Sequence, residues 1–307
     1  MKLATYERDA GVPAVGVVDT TRGEILDLGM AGASFESMQA LIEAGEAGLA
    51  RAHEASAKWP TRAVRPLAGA RLLAPLLRPE SIRDCLVFEQ HLLNAMNAWE
   101  KLANKPVTDI PKVWFERPTW YKGNRFSVVG HEAEVQWPPY SEMMDFELEL
   151  ACVIGRKGRD IPASQGVEHI FGFTIFNDFS ARDTQMVERP LGMGPMKGKD
   201  FDTGNVFGPW IVTPDEIGDP QSLAMEVRVN GERWGGGNSR DMQHSFASIL
   251  AFISVSETLY PGEIIASGTV GTGCGLELMR FLKPGDVVEL EIEKIGVLRN
   301  RIVRCSP

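Results

Sequence analysis

Glycine and proline break this chain at nearly every junction between its apolar runs, 31 glycines and 19 prolines in all, and most of the runs are of strand length. Such punctuation favours strands joined by tight turns and leaves little room for long helices. Residues 147–154 and 170–177 are two such runs. Residues 225–229 meet a second strand through Asn230-Gly231, a dipeptide that tolerates the positive φ of a two-residue hairpin turn. Residues 287–295 alternate cleanly after the turn Lys283-Pro284-Gly285-Asp286. One helix is expected over 245–259, with Phe246, Ile249, Leu250, Ile253 and Val255 available to pack. The fold class expected is therefore α+β, predominantly β, as a sandwich or barrel-like roll.

The first 70 residues read differently. Residues 14–18 and 25–28 alternate like short strands around the turn-like Thr20-Thr21-Arg22-Gly23. A helix is expected after Ser34 as N-cap, with Met38, Leu41, Ile42 and Leu49 on one face and a gap at Gly45. Pro60, Pro66, Pro75 and Pro79 then suggest a linker. The expectation is a small N-terminal α+β domain over 1–70 and a catalytic domain over 71–307.

A net charge of −9 argues against nucleic acid or an anionic membrane surface as partner. No apolar stretch reaches the length of a membrane span, and the N-terminus lacks a signal-peptide core. Cys85, Cys152, Cys274 and Cys305 have no paired spacing and read as reduced thiols, so a cytoplasmic location is expected.

Chemistry enters with Asp-Phe-Glu-Leu-Glu-Leu. A period of two sends Glu147 and Glu149 to one face of a strand and Phe146, Leu148 and Leu150 to the other. Such a pair is also the ordinary solvated face of an antiparallel sheet. Held together away from water, however, the carboxylates repel unless a proton or cation lies between them, and an all-oxygen set suits Mg²⁺, Mn²⁺ or Ca²⁺. Elsewhere Asp84 precedes His91 in Asp-Cys-Leu-Val-Phe-Glu-Gln-His, and Asp178 ends an apolar run before Ser180-Ala181-Arg182-Asp183 and Gln185. Gly198-Lys199-Asp200-Phe201-Asp202-Thr203, Ala266-Ser267-Gly268-Thr269 and Gly275-Leu276-Glu277-Leu278 follow. Beside Asp183 and Asp200, Arg182 and Lys199 also read as ordinary ion pairs. His53, His131, His169 and His244 read as structural.

These segments, in this order from about residue 72 onward, resemble the fumarylacetoacetate hydrolase family. The resemblance implies a mixed β-sandwich roll, a homodimer, and a divalent metal held by Asp84, Glu147, Glu149 and Asp178. It makes His91 and Glu277 a water-activating dyad. It sets Arg182, Gln185 and Lys199 around the reacting carbonyl, with Tyr121 and Thr269 as substrate contacts. Counted without gaps, Leu86 and Arg189 stand where the namesake enzymes have tyrosines, and Glu100 where they have an arginine. A glutamate there would repel a substrate carboxylate, so fumarylacetoacetate itself is not the expected substrate; Arg189 is a candidate grip from another direction.

The expected function is metal-dependent hydrolysis of a carbon–carbon bond in a β-diketone or acylpyruvate-type keto acid. Decarboxylation or enol–keto isomerisation of a 2-oxo acid by the same metal site is the alternative. A silent binding protein is disfavoured because the ligand set and dyad are intact.

Overall fold

The computed structural model describes residues 1–104, 106 and 109–304, and Cys305 lies outside them. Two sheets of eleven and five strands form the frame. Leu148, Leu150, Phe173 and Ile175 of the larger share one apolar core with Val227, Leu290, Leu298 and Ile302 of the smaller. Most pairings are antiparallel. Ile82–Cys85 beside Ile264–Cys274 and Glu134–Trp137 beside Gly296–Arg304 are parallel, so the sheets are mixed. The sheet-rich α+β expectation holds. No helix among the described residues is long and apolar enough to cross a membrane.

The centre of the large sheet runs Asn205–Val212, Ile170–Asp178, Glu147–Ile154, Ile264–Cys274, Ile82–Cys85 and Trp120–Lys122. All eight residues of Glu147–Ile154 are buried. Leu148, Leu150, Cys152 and Ile154 enter the core between the sheets, and Ala151 and Val153 enter a second core on the opposite face. Glu147 and Glu149 share the parity of Ala151 and Val153. They are therefore not on a solvated face.

That second core is covered by the N-terminal residues. Met38, Leu41 and Ile42 pack into it with Phe176, Phe207 and Ile211, and Phe176 stacks on Phe207 with ring centroids 4.3 Å apart. The strand Lys2–Arg8 pairs directly with Asn205–Val212, so the first four strands extend the large sheet. The proline-rich segment is tied to the same strand: Thr5 Oγ1 donates to the Pro75 carbonyl at 2.6 Å, and Tyr6 bridges to Leu72.

Local departures from the expected elements have local causes. The first helix, Met38–Glu43, is capped by Ser37 rather than Ser34, because the Ser37 side chain accepts from Ala40 N at 3.1 Å. Gly45, at φ +55°, separates it from a second helix, Gly45–Ser56. Asn230 and Gly231, at φ +53° and +79°, make the expected hairpin. The helix expected over 245–259 covers only Phe246–Ile253. Ser254 Oγ accepts from Ile161 N, Ser256 turns left-handed at φ +54°, and Thr258–Leu259 pairs as a strand, which leaves Val255 exposed. Ser245 caps that helix by accepting from Ser248 N at 3.2 Å. Ser245→Ala is expected to cost about 1 kcal/mol, seen as a lower urea midpoint at unchanged slope.

Candidate active site

Strand register assembles the site. Glu149 lies opposite Thr269, Asp84 pairs with Ala266 one strand further, and Tyr121 lies opposite Asp84 on the next. Asp178 ends the strand on the other side of Glu147–Ile154. The ladder between Glu149 and Ala151 shifts register against Ile264–Cys274, and Ser267 and Gly268 occupy the shift. Gly268 has φ +83°, and a Cβ there would sit 2.3 Å from the Cys85 carbonyl oxygen. Its N–H donates to Glu149 Oε2 at 3.2 Å, so the bulge aims backbone at the site.

Asp84, Glu147, Glu149 and Asp178 are all buried, and one carboxylate oxygen from each lies within 4.8 Å of the others. Asp84 Oδ1 and Asp178 Oδ1 have no hydrogen-bond partner among the described residues. Burial pushes the Asp84 carboxyl well above the usual range, and Asp178 adds to it. Burial and Asp84 do the same to Glu149. Asp178 is raised by burial, against the pull of Lys199. Glu147 alone is held low: Arg182 and Lys199 outweigh its burial. Crowded, buried carboxylates with orphaned oxygens are what a hard divalent cation relieves, and the donor set is all oxygen. The residues fit such an ion.

Two buried cations face the cluster. Lys199 Nζ donates to the carboxylates of Glu147 and Asp178 and, at 3.2 Å, to the Asp178 carbonyl. Arg182 donates from Nη2 to Glu147 Oε1 at 2.7 Å, from Nε to Asp145 Oδ2 at 2.7 Å and from Nη1 to Gln185 Oε1 at 3.0 Å. Neither cation pairs with its neighbour in sequence. Asp183 instead accepts from Ser141 Oγ and the Glu142 N–H. Tyr121 donates its hydroxyl to Asp178 Oδ2 at 2.5 Å, and burial followed by Asp178 raises its phenol.

His91 stands on the helix Glu89–Ala103, with Nδ1 2.8 Å from Glu277 Oε1 on the short helix Gly275–Leu278. Glu277 Oε2 accepts from Thr272 N at 2.7 Å and Asn94 Nδ2 at 2.8 Å. A cavity of about 350 Å³ is lined by His91, Asp84, Glu147, Glu149, Lys199, Arg182, Gln185, Tyr121 and Thr269. Its outer wall is apolar, with Leu86, Leu92, Met96 and Trp99. Arg189 is at the rim, its guanidinium 5.0 Å from the Trp99 ring centroid, and it has no carboxylate partner among the described residues. Glu100 is exposed and is not among the residues that line the cavity. Of the other histidines, His169 is buried against the Arg156 carbonyl and His131 Nδ1 accepts from Arg299 N.

Asp145 is one residue beside the cluster that the sequence reading missed. It is fully buried, holds Arg182, and accepts the N–H groups of Gly275 and Leu276 at 2.7 and 2.9 Å, which fixes the helix carrying Glu277. The signal was present, since Asp145 lies two positions before Glu147 and extends the same alternation. Glu188 was missed as well. Its carboxylate accepts the consecutive N–H groups of Met196, Lys197 and Gly198 and so shapes the turn that presents Lys199.

The family model for the fumarylacetoacetate (FAA) hydrolase C-terminal region matches residues 86–303. A human mitochondrial oxaloacetate tautomerase, FAHD2A, is 36% identical over 294 residues, covering 95% of this chain and 88% of that protein. A 2,4-didehydro-3-deoxy-L-rhamnonate hydrolase of Sphingomonas sp. (strain SKA58) is 40% identical over 179 residues, 57% of this chain and 61% of that protein. The solved fumarylacetoacetate hydrolase of the psychrophile Exiguobacterium antarcticum superposes with a TM-score of 0.78 at 28% identity, covering 99% of this chain and 100% of that one. By domain, by near full-length identity and by fold, the chain belongs to the fumarylacetoacetate hydrolase family.

Proposed function

We propose that the protein is a divalent-metal-dependent hydrolase that cleaves a carbon–carbon bond in a β-diketone or acylpyruvate-type keto acid. The observation that carries this reading is the buried His91–Glu277 pair, whose histidine lines the same cavity as Asp84, Glu147 and Glu149. Bound by those three and Asp178, Mg²⁺, Mn²⁺ or Ca²⁺ would supply a Lewis acid for the oxygens of a 2-oxo acid.

The rest of the chemistry belongs to side chains. A carboxylate oxygen 2.8 Å from Nδ1 keeps a proton on that nitrogen, which leaves the Nε2 lone pair as the base. His91 takes a proton from water as the water oxygen bonds to the carbonyl carbon. The carbon–carbon bond then breaks, its electron pair leaves with the keto-acid fragment as an enolate, and a proton returns to carbon. Lys199, protonated among acids, is the donor closest to the cluster. Gln185 lines the cavity with its side-chain oxygen held by Arg182, so its amide N–H₂ is the group it would offer as a donor to the developing oxyanion. Arg189 over Trp99 offers a cation to a distal carboxylate, and the apolar wall accommodates the carbon chain between.

Keto–enol isomerisation of a 2-oxo diacid at the same site is the second reading, supported by the likeness over nearly the whole chain to oxaloacetate tautomerases. It uses His91 and Lys199 as proton carriers and needs no attacking water. One assay separates the two. Mg²⁺-loaded protein is mixed with acylpyruvates and with oxaloacetate, with a chelator control, and products are read by enol absorbance and chromatography. Loss of enol absorbance with pyruvate and a second acid, abolished by chelator, is the result expected. Enol loss from oxaloacetate with no new product supports the tautomerase, release of carbon dioxide supports a decarboxylase, and silence on every substrate overturns the keto-acid reading.

A further inference from the structure

Asn94 occupies an unfavourable place for its type. Asparagine competes with the helix backbone for hydrogen bonds, yet Asn94 lies within Glu89–Ala103, one turn after His91. Residues three and four apart share a helix face, so Gln90, His91 and Asn94 are neighbours. The Glu277 carboxylate can only accept, and this fixes the amide: Asn94 Nδ2 donates to Glu277 Oε2 at 2.8 Å, while Oδ1 faces the other way and accepts from Gln90 Nε2 at 2.8 Å. Glu277 is thereby held on both oxygens. Oε2 receives Asn94 and the Thr272 N–H, and Oε1 receives His91 Nδ1, with Cys274 Sγ 3.4 Å away.

We propose that Asn94 is a positioning residue for the acid–base dyad: its side-chain N–H locks the Glu277 carboxylate in the one orientation that keeps His91 in the Nδ1–H tautomer. The proposal rests on the dyad assigned above. Without the Asn94 donor, Oε2 keeps the Thr272 N–H as its partner among the described residues, the carboxylate is free to swing away from Nδ1, and the imidazole then has no fixed acceptor to select one tautomer. A base with its proton on the wrong nitrogen cannot accept another.

The test compares two variants that remove the donor differently. Asn94→Leu keeps the branched outline without any polar group, while Asn94→Asp keeps the size and places a second carboxylate against Glu277. With Mn²⁺-loaded protein and acetylpyruvate or oxaloacetate as probe, both are expected to lower kcat about 10- to 100-fold at nearly unchanged KM. In a Glu277→Gln background the same substitutions should add little, because Asn94 acts through that carboxylate. A second readout needs no turnover: imidazole ¹⁵N NMR of the metal-free protein should show His91 as the Nδ1–H tautomer in the parent and as a mixture in both variants. Wild-type kcat and tautomer in Asn94→Asp would overturn the proposal, as would losses that multiply in the Glu277→Gln background. Full activity of Glu277→Gln itself would remove the dyad, and the positioning role with it.

Discussion

His91→Ala is expected to lower kcat about 10³-fold, the size of effect a positioned general base supplies, with metal affinity unchanged. The split follows from the geometry. His91 touches Glu277 and stands outside the four-carboxylate cluster, so its removal deletes the proton acceptor and leaves the ion's ligands in place. A 10³-fold loss corresponds to about 4 kcal/mol of transition-state stabilisation. Free imidazole diffusing into the cavity should restore part of the rate, because the space left is the size of the ring removed. Titration calorimetry with Mn²⁺ on parent and variant checks the first half of the expectation, and kinetics with and without imidazole check the second. Weakened metal binding would instead make His91 a ligand. Unchanged kcat would exclude it as the base for either hydrolysis or isomerisation.

How far the sequence reveals this site depends on the distance over which each contact forms. Glu147 and Glu149 are legible because alternation is local: a period of two puts them on one face whatever the strand packs against. The alternation does not say that the face is buried, because burial comes from the N-terminal helices and from strands far along the chain. Asp84 and Asp178 reach the pair only through register across neighbouring strands, and no spacing rule yields that; likeness to a family does. Arg182 and Lys199 show the opposite failure. Asp183 and Asp200 are their neighbours in sequence, yet both cations turn inward to deeper acids, where a buried charge without a partner is costly. The pairing of Lys2–Arg8 with Asn205–Val212, which merges the N-terminal strands into the main sheet, likewise has no local signature. Where prediction stopped short on local grounds, at Gly45 and Ser256, a single left-handed residue decided the matter.

Lys199→Met tests the electrostatic core of the site. In the metal-free protein Lys199 is the cation shared by Glu147 and Asp178, and its side chain is 6% exposed. Methionine fills most of the same volume but, among the described residues, leaves Asp178 with only the Tyr121 hydroxyl on one oxygen and Glu147 with only Arg182. Removing one member of a buried ion pair typically costs about 3–5 kcal/mol, because the remaining charge is desolvated without compensation. For a chain of this size the metal-free Tm should fall by on the order of 10 °C. A divalent ion neutralises the same carboxylates, and by linkage it stabilises most the protein whose metal-free form is worst off. The rise in Tm on adding Mg²⁺ or Mn²⁺ should therefore be larger in Lys199→Met than in the parent. Turnover should not recover with it, since the proton donor beside the cluster is gone. Scanning calorimetry with and without the ion, together with the enol assay, reads all three quantities. An unchanged metal-free Tm would mean that the carboxylates hold protons and not Lys199. A recovered rate would move the proton donor elsewhere, to Tyr121 or to the imidazolium of His91, both of which line the cavity.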